Sequence, residues 1–147
     1  MSWYRQSERD HDYNPEWDYT RDPRPYPKAI QAFESAAKSI RGRLPALFNH
    51  SFDNFTLFYT SDDLGTGGDG ALAVYANGTY SEPVIIVNSR SITRSHKEIN
   101  EEFPIHNQIS LDYIAYTTLL HELKHAEQEA DARDWDEDEA ENFAREN

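Results

Sequence analysis

The sequence contains no cysteine among its 147 residues. This absence excludes disulfide bonds, metal sites built from thiolates and cysteine nucleophiles. A metal ion bound by this chain would therefore need ligands from histidine, aspartate or glutamate. The chain has 6 histidines and 27 acidic residues from which such ligands could come.

Positive charge is also scarce, with 14 Lys and Arg against 27 Asp and Glu and a formal net charge of -13 at pH 7. Such a field repels the phosphates of nucleic acids and anionic membrane surfaces, so neither nucleic acid nor membrane is expected as a partner. Lysine is especially rare and occurs only at Lys28, Lys38, Lys97 and Lys124. A carboxylate-rich, lysine-poor surface is typical of halophilic proteins, and an ordinary acidic protein is the alternative.

Long hydrophobic runs are missing as well, since hydrophobic residues make up 37% of the chain and the mean hydropathy is -0.87. The charged N-terminal residues show no apolar segment of a secretory signal, and no run is long enough to span a membrane. These absences predict a cytoplasmic protein, although a virion protein would lack the same signals. The aromatic content of 13% argues against a disordered chain, and the length suits one domain with a core.

Residues 1–26 carry many charges and several prolines with no clear period. We interpret them as an extended or disordered arm. Its aromatic side chains, which include Trp3 and Trp17, indicate that the arm docks on a surface. That surface is either the protein's own domain, predicted to comprise residues 27–147, or a protein partner.

Helical patterns occur at both ends of the predicted domain. Pro27 suits the first turn of a helix that should end near Gly42. A longer pattern covers residues 109–130 and has a broad apolar face. The last helix follows an acidic turn, where Asp136 is the predicted N-cap and Glu139 completes a capping box.

Between these helices, β-branched and aromatic residues predict three strands, at residues 55–59, 71–75 and 84–87. Asn77-Gly78 is a strong hairpin signal between the last two strands, and Pro83 suits either an edge strand or a strand start. A short helix at 91–103 is expected to follow. The order predicts an α+β fold, with an N-terminal helix, a small antiparallel three-stranded sheet, a long helix and a C-terminal helix.

The pentapeptide His121-Glu122-Leu123-Lys124-His125 lies late in the long predicted helix. Residues four apart share a helix face, so the imidazoles of His121 and His125 can bind one metal ion. Glu122 is placed to reach a water on that metal. This is the H-E-x-x-H arrangement of zinc peptidases, with two ligands and one general base. The alternative is that the two histidines are polar residues on a solvated helix face.

A catalytic zinc usually has three protein ligands, so a third is expected. Asp131 has the spacing used by one branch of zinc peptidases, but that branch needs glycine where this chain has Gln128, which favours continuation of the helix. Glu129 is also unsuitable, because it lies about 12 Å along the helix axis from the first histidine. Glu137 is the favoured ligand, since a last helix packed antiparallel to the long helix could direct it at the metal. Glu141, one turn further on, could accept the second N–H of a histidine ligand.

These residues resemble a known family. The His-Glu-Leu-Lys-His motif followed by Glu137-x-Glu-Ala-x-x-Phe-Ala looks like the small gluzincin metallopeptidases of the ImmA/IrrE type, in which H-E-x-x-H precedes E-x-x-A-[N/D]-x-F-A. The resemblance implies that Glu137 is the third zinc ligand and that Glu141 occupies the supporting Asn/Asp position. It also implies a minimal zincin-like domain. The resemblance covers about residues 27–147, and its specific motifs lie within 119–144.

The resulting expectation is a zinc-dependent metallopeptidase, of a kind that a virus or mobile element could encode. Zinc would polarise the scissile carbonyl and lower the pKa of its bound water, and Glu122 would act as general base. A strand edge within residues 71–87 would hold the peptide substrate in extended form. The candidate oxyanion donors are Tyr75, Tyr80, Tyr113 and Tyr116. The alternatives are a structural metal, or a non-catalytic protein of the same fold, such as a virion or assembly component that docks through residues 1–26.

Overall fold

The computed structural model describes residues 26–48, 52–60, 72–76, 82–102 and 109–147. The predicted arm lies outside this part of the chain apart from Tyr26, and so does the Asn77-Gly78 turn. The division into an arm and a domain therefore stays a prediction.

The described residues form five helices and a small sheet. The elements in chain order are α1 (Pro27–Arg41), α2 (Leu44–Leu47), β1 (Thr56–Thr60), β2 (Ala73–Ala76), β3 (Val84–Asn88), α3 (Ser89–Glu102), α4 (Leu111–Ala130) and α5 (Glu137–Glu146). This mixed and mostly helical content agrees with the predicted α+β class. Among the described helices, none is long and apolar enough to cross a membrane.

The three strands form one sheet in the order β1-β3-β2. β2 runs antiparallel to β3, with Tyr75 opposite Ile85, as the hairpin signal predicted. β1 runs parallel to β3, with Leu57 opposite Ile85. The predicted antiparallel three-stranded sheet is therefore wrong, because the sheet is mixed and β3 lies at its centre.

The burial of β3 accounts for this topology. All five of its residues, Val84–Asn88, are buried. A continuous buried run is typical of a strand that is covered on both faces, whereas a half-exposed strand alternates. Pro83 immediately precedes this central strand, and its carbonyl accepts a hydrogen bond from Thr56 N at 2.9 Å. Pro83 therefore marks the start of a central strand and does not lie in an edge strand.

The N-terminal helix forms as its sequence predicts. α1 has Pro27 in its first turn and ends at Arg41, with Gly42, the predicted limit, as its C-cap. Its apolar residues form one buried face, in which Phe33 and Ile40 are fully buried. This face packs on α4, with which α1 is in extensive contact.

The long helix α4 is the centre of the domain, since α1, α3, α5 and β2 all contact it. It begins after Ser110, whose Oγ accepts a hydrogen bond from Tyr113 N at 3.0 Å. In its second half, every residue from Thr118 to Gln128 except Lys124 is buried. This stretch includes the H-E-x-x-H motif. Burial of polar side chains costs free energy unless they find partners, so the surrounding elements have to supply those partners.

Candidate metal centre

Three side chains from α4 and the start of α5 converge on one point. His121 and His125 lie one turn apart on α4 and are 8% and 0% exposed, and Glu137 is the first residue of α5. Glu137 Oε2 lies 3.2 Å from His121 Nε2, and Glu137 Oε1 lies 3.0 Å from His125 Nε2. The three donor atoms all lie within 4.8 Å of one another. The structure thus brings together the three residues predicted as ligands, and this buried group could hold a metal ion.

The spacing and chemistry of the donor atoms fit such an ion. Two donors that are each about 2 Å from one tetrahedral ion are about 3.3 Å apart, which is close to both measured nitrogen–oxygen separations. Imidazole nitrogens with one carboxylate suit a divalent transition metal, whereas magnesium and calcium prefer sites built from oxygen. Three protein ligands leave one position of a tetrahedral ion for water or substrate.

A helix-ending turn brings the chain back towards the histidines. Arg133 N donates to Gln128 O at 2.8 Å, and Ala132 N donates to Glu129 O at 3.0 Å. These two bonds form a Schellman motif, which usually has glycine at its left-handed position. Here that position is Ala132, with φ of 57°. The turn therefore forms without glycine, and it lets α5 pack on α4.

Asp136 caps α5 and so places the carboxylate that follows it. Its Oδ1 accepts a hydrogen bond from Glu139 N at 3.0 Å, as predicted for the N-cap. The other half of the predicted capping box is not formed, because Asp136 N donates to Gln128 Oε1 at 3.0 Å. The cap fixes the first residue of α5, Glu137, at the end of the helix that faces α4.

The two rejected ligands lie elsewhere. α4 continues through Gln128 to Ala130, as its sequence predicts, and Asp131 is its exposed C-cap. The carboxylate of Asp131 lies 4.0 Å from Arg133 Nε and is not part of the donor group. Glu129 is not part of the group either. The continued helix carries both residues beyond the histidines, which leaves the third position to α5.

Gln128 is fully buried and makes four polar contacts. Its Oε1 lies 3.0 Å from His125 Nδ1 and 3.0 Å from Asp136 N. Its Nε2 donates to Asp136 O at 3.1 Å and to Glu139 Oε1 at 3.0 Å. The sequence predicts for Gln128 only that it continues the helix. The signal that could have shown more is its spacing, since a residue three positions after His125 lies on the same helix face.

Glu139 is held at the outer end of this network by Arg133. The guanidinium donates through Nη1 to Oε2 at 3.1 Å and through Nη2 to Oε1 at 3.0 Å. These bonds from Arg133, together with the bond from Gln128, lower the pKa of Glu139 to about 2. The bonds to the same carboxylate raise the pKa of Arg133. Both groups therefore stay charged across the ordinary pH range.

Lys124, inside the H-E-x-x-H motif, links α4 to α5. Its Nζ lies 2.5 Å from Glu127 Oε1 and 4.6 Å from the centre of the Phe143 ring on α5. The Glu127 side chain is only 2% exposed. A buried carboxylate needs such a cation close by, and the lysine chain covers the aromatic ring at the same time.

Trp135 joins the metal group to the sheet. The indole is 4% exposed, and its ring centroid lies 5.2 Å from that of His125 and 6.2 Å from that of Tyr75 on β2. Its position was not predicted, because it lies in a short acidic turn. The one sequence signal was a large aromatic residue between charged neighbours, which is more often buried than exposed.

The predicted general base follows the first histidine on α4. Glu122 is fully buried and is not one of the three donors. His121, His125 and Glu137 supply three ligands without Glu122. Glu122 can therefore act as a base beside the metal and need not bind it. That role stays a prediction.

The supporting residue predicted for the histidines is exposed. Glu141 lies on the outer side of α5. Both ring nitrogens of His125 contact other residues, Nε2 with Glu137 and Nδ1 with Gln128. Gln128 therefore takes the supporting position at His125, and a contact between Glu141 and His121 stays a prediction.

The candidate oxyanion donors are spread over the molecule. Tyr75 is buried on β2, and Tyr116 donates to Asn147 O at 3.2 Å. Tyr113 is 50% exposed near the start of α4, and Tyr80 lies outside the described residues.

Comparison with known proteins gives no match, whether to a protein-family model, to a curated protein or to a solved structure.

Proposed function

We propose that the protein is a zinc-dependent metallopeptidase of the gluzincin type. The observation that carries the proposal is the convergence of His121, His125 and Glu137. Glu122, which directly follows His121 in the chain, is buried as well. Structural zinc sites usually have four protein ligands, whereas catalytic ones have three and an exchangeable position. The described residues provide three ligands here, which supports a catalytic rather than a structural ion.

The side chains then have separate roles. His121, His125 and Glu137 would hold the ion, and a zinc ion bound there supplies a Lewis acid that activates water and polarises a peptide carbonyl. Glu122 takes a proton from the attacking water and gives it to the nitrogen of the leaving amine. The burial of Glu122 on the central helix holds this carboxylate in one place, which proton transfer over a short distance requires.

The edge strand β2 is the proposed docking place for the substrate. Within the described strands β2 pairs only with β3, and a strand at the edge of a sheet can pair with an extended peptide through its backbone. Tyr75 on β2 packs on Trp135, which packs on His125. β2 is therefore the edge that adjoins the metal group, whereas β1 lies on the far side of β3.

Metal content is the first test. Elemental mass spectrometry of the purified protein should find about one zinc per chain, and Glu137→Ala should lose most of it because one of three ligands is removed. His96→Ala serves as a matched control, since His96 is a half-buried histidine on α3 that contacts Asn100. Absence of zinc from the wild type after incubation with zinc in high salt would overturn the proposal.

Peptide cleavage is the second test. A peptide library or an unfolded protein should be cleaved by the zinc-loaded wild type, and Glu122→Gln should bind zinc but lose cleavage. Glu146→Gln, at the exposed end of α5, should retain both properties. Zinc binding without any cleavage by the wild type would favour the alternative, a non-catalytic protein of the same fold that docks through residues 1–26.

A further inference from the structure

The amide of Gln128 has only one orientation that satisfies its neighbours. Asp136 N is a backbone donor, so the Gln128 atom that faces it must be the acceptor Oε1. Asp136 O and the Glu139 carboxylate are acceptors, so the atom that faces both must be the Nε2 amide. Three contacts with two residues, Asp136 and Glu139, therefore fix which end atom of this side chain is oxygen and which is nitrogen.

This orientation determines the protonation pattern of His125. The fixed Oε1 lies 3.0 Å from His125 Nδ1, and because Oε1 only accepts, Nδ1 must carry a proton. A neutral imidazole has one N–H, so its Nε2 presents a lone pair. Nε2 is the atom that faces Glu137 in the donor group. The hydrogen bond that His125 Nδ1–H donates to Gln128 Oε1 thus selects the tautomer in which His125 can act as a ligand through Nε2.

The same side chain also holds the start of α5. Both the N–H and the carbonyl of Asp136 are bound to the Gln128 amide, and Asp136 is the residue directly before Glu137. Glu139, two residues further on, is bound to the same amide and to Arg133. One buried side chain therefore contacts a ligand on α4 and the backbone that carries the ligand on α5.

We propose that Gln128 is a positioning residue of the metal centre, which sets the tautomer of His125 and the placement of Glu137 together. The inference rests on the proposed metal centre and adds to it a residue that does not bind the metal. Loss of a residue that supports a metal ligand typically lowers metal affinity about 10-fold to 100-fold. Because Gln128 supports two of the three ligands, we expect a loss in this range.

The test compares the zinc affinity of the full chain, by competition with a chromophoric chelator, for wild type, Gln128→Leu and Gln128→Asn. Both substitutions should lower the affinity about 10-fold or more. Leu removes the amide, and Asn keeps it on a stem too short to reach both His125 and Asp136. Gln31→Leu, an exposed position on α1, is the matched control and should leave the affinity unchanged.

A second measurement needs no substitution and separates positioning from general stabilisation. ¹⁵N NMR of the zinc-loaded wild type should show that His125 binds zinc through Nε2. Its Nδ1–H should be protected from exchange with water. Coordination through Nδ1 would overturn the inference even if both Gln128 variants fail to fold. If a folded Gln128→Leu variant binds zinc with wild-type affinity, the role of Gln128 is overturned and the proposed metal centre stands. If the wild type binds no zinc, both are overturned.

Discussion

The indole of Trp135 lies against the imidazole of His125, with ring centroids 5.2 Å apart and ring planes 31° apart. An open-shell ion such as Co²⁺ bound by His125 would therefore quench the emission of this indole. We expect a saturable loss of tryptophan fluorescence on titration with Co²⁺, and Trp135→Phe should abolish it. A variant with Phe at Trp3 and Trp17 should keep the quenching. Persistence of the full quenching in Trp135→Phe would place the bound ion elsewhere.

The turn between α4 and α5 contains a position that glycine would fit better. Ala132 has φ of 57°, and a side chain in this left-handed region costs about 1 kcal/mol or more. Ala132→Gly should therefore raise the free energy of unfolding, by up to about 1 kcal/mol. Ala130→Gly is the matched control in the last turn of α4, where glycine should lower stability by about 0.5–1 kcal/mol. Urea unfolding of both variants checks the opposite signs, and equal signs would contradict the argument.

The pair formed by Lys124 and Glu127 should be much stronger than an exposed pair. The Glu127 side chain is 2% exposed and that of Lys124 is 14% exposed, so Lys124→Met would leave a buried carboxylate without its cation. We expect a loss of about 3 kcal/mol. A second change, Glu127→Gln, should recover part of that loss. Lys97→Met breaks the exposed pair with Glu101 and should change stability by less than about 1 kcal/mol. Similar losses for both lysines would contradict this prediction.

Tyr59 should make stability fall at high pH. Burial raises the pKa of its hydroxyl, and so does the 2.5 Å hydrogen bond that it donates to Glu34. A raised pKa means that the folded state keeps a proton which the unfolded state loses above about pH 10, so the stabilisation is complete below that pH and declines above it. The free energy of unfolding of wild type should fall more than that of Tyr59→Phe between about pH 8 and about pH 11. Tyr113→Phe, at an exposed position, should retain the wild-type decline.

Features with local signals were predictable from the sequence. Pro27 and the spacing of the apolar residues after it predicted α1, and Asp136 as an N-cap predicted the start of α5. The convergence of Glu137 with the histidines could also be predicted from local sequence, because two helices joined by a short turn can pack together in only a few ways. These predictions needed only residues that are near one another in the chain.

The partners of β1 and the role of Gln128 were not predictable in this way. Parallel pairing of β1 with β3 depends on the route of the chain between them, which no single residue signals. The contacts of Gln128 depend on the turn at Ala132, and alanine gives no sign of a left-handed conformation. A glycine at this position would have indicated the left-handed turn that brings Asp136 and Glu139 to the buried amide.

The three donor residues lie close together in the sequence, since Glu137 follows His121 by only sixteen residues. Loop closure over so short a distance costs little entropy, and helices form faster than sheets that join distant strands. When the full-length chain refolds, the ligands can therefore meet before β1 and β3 have paired. Zinc would then bind partly folded chains too, and it would stabilise the native state by less than its affinity for the native site implies. On this view the ion directs the order of folding more than it determines the final stability.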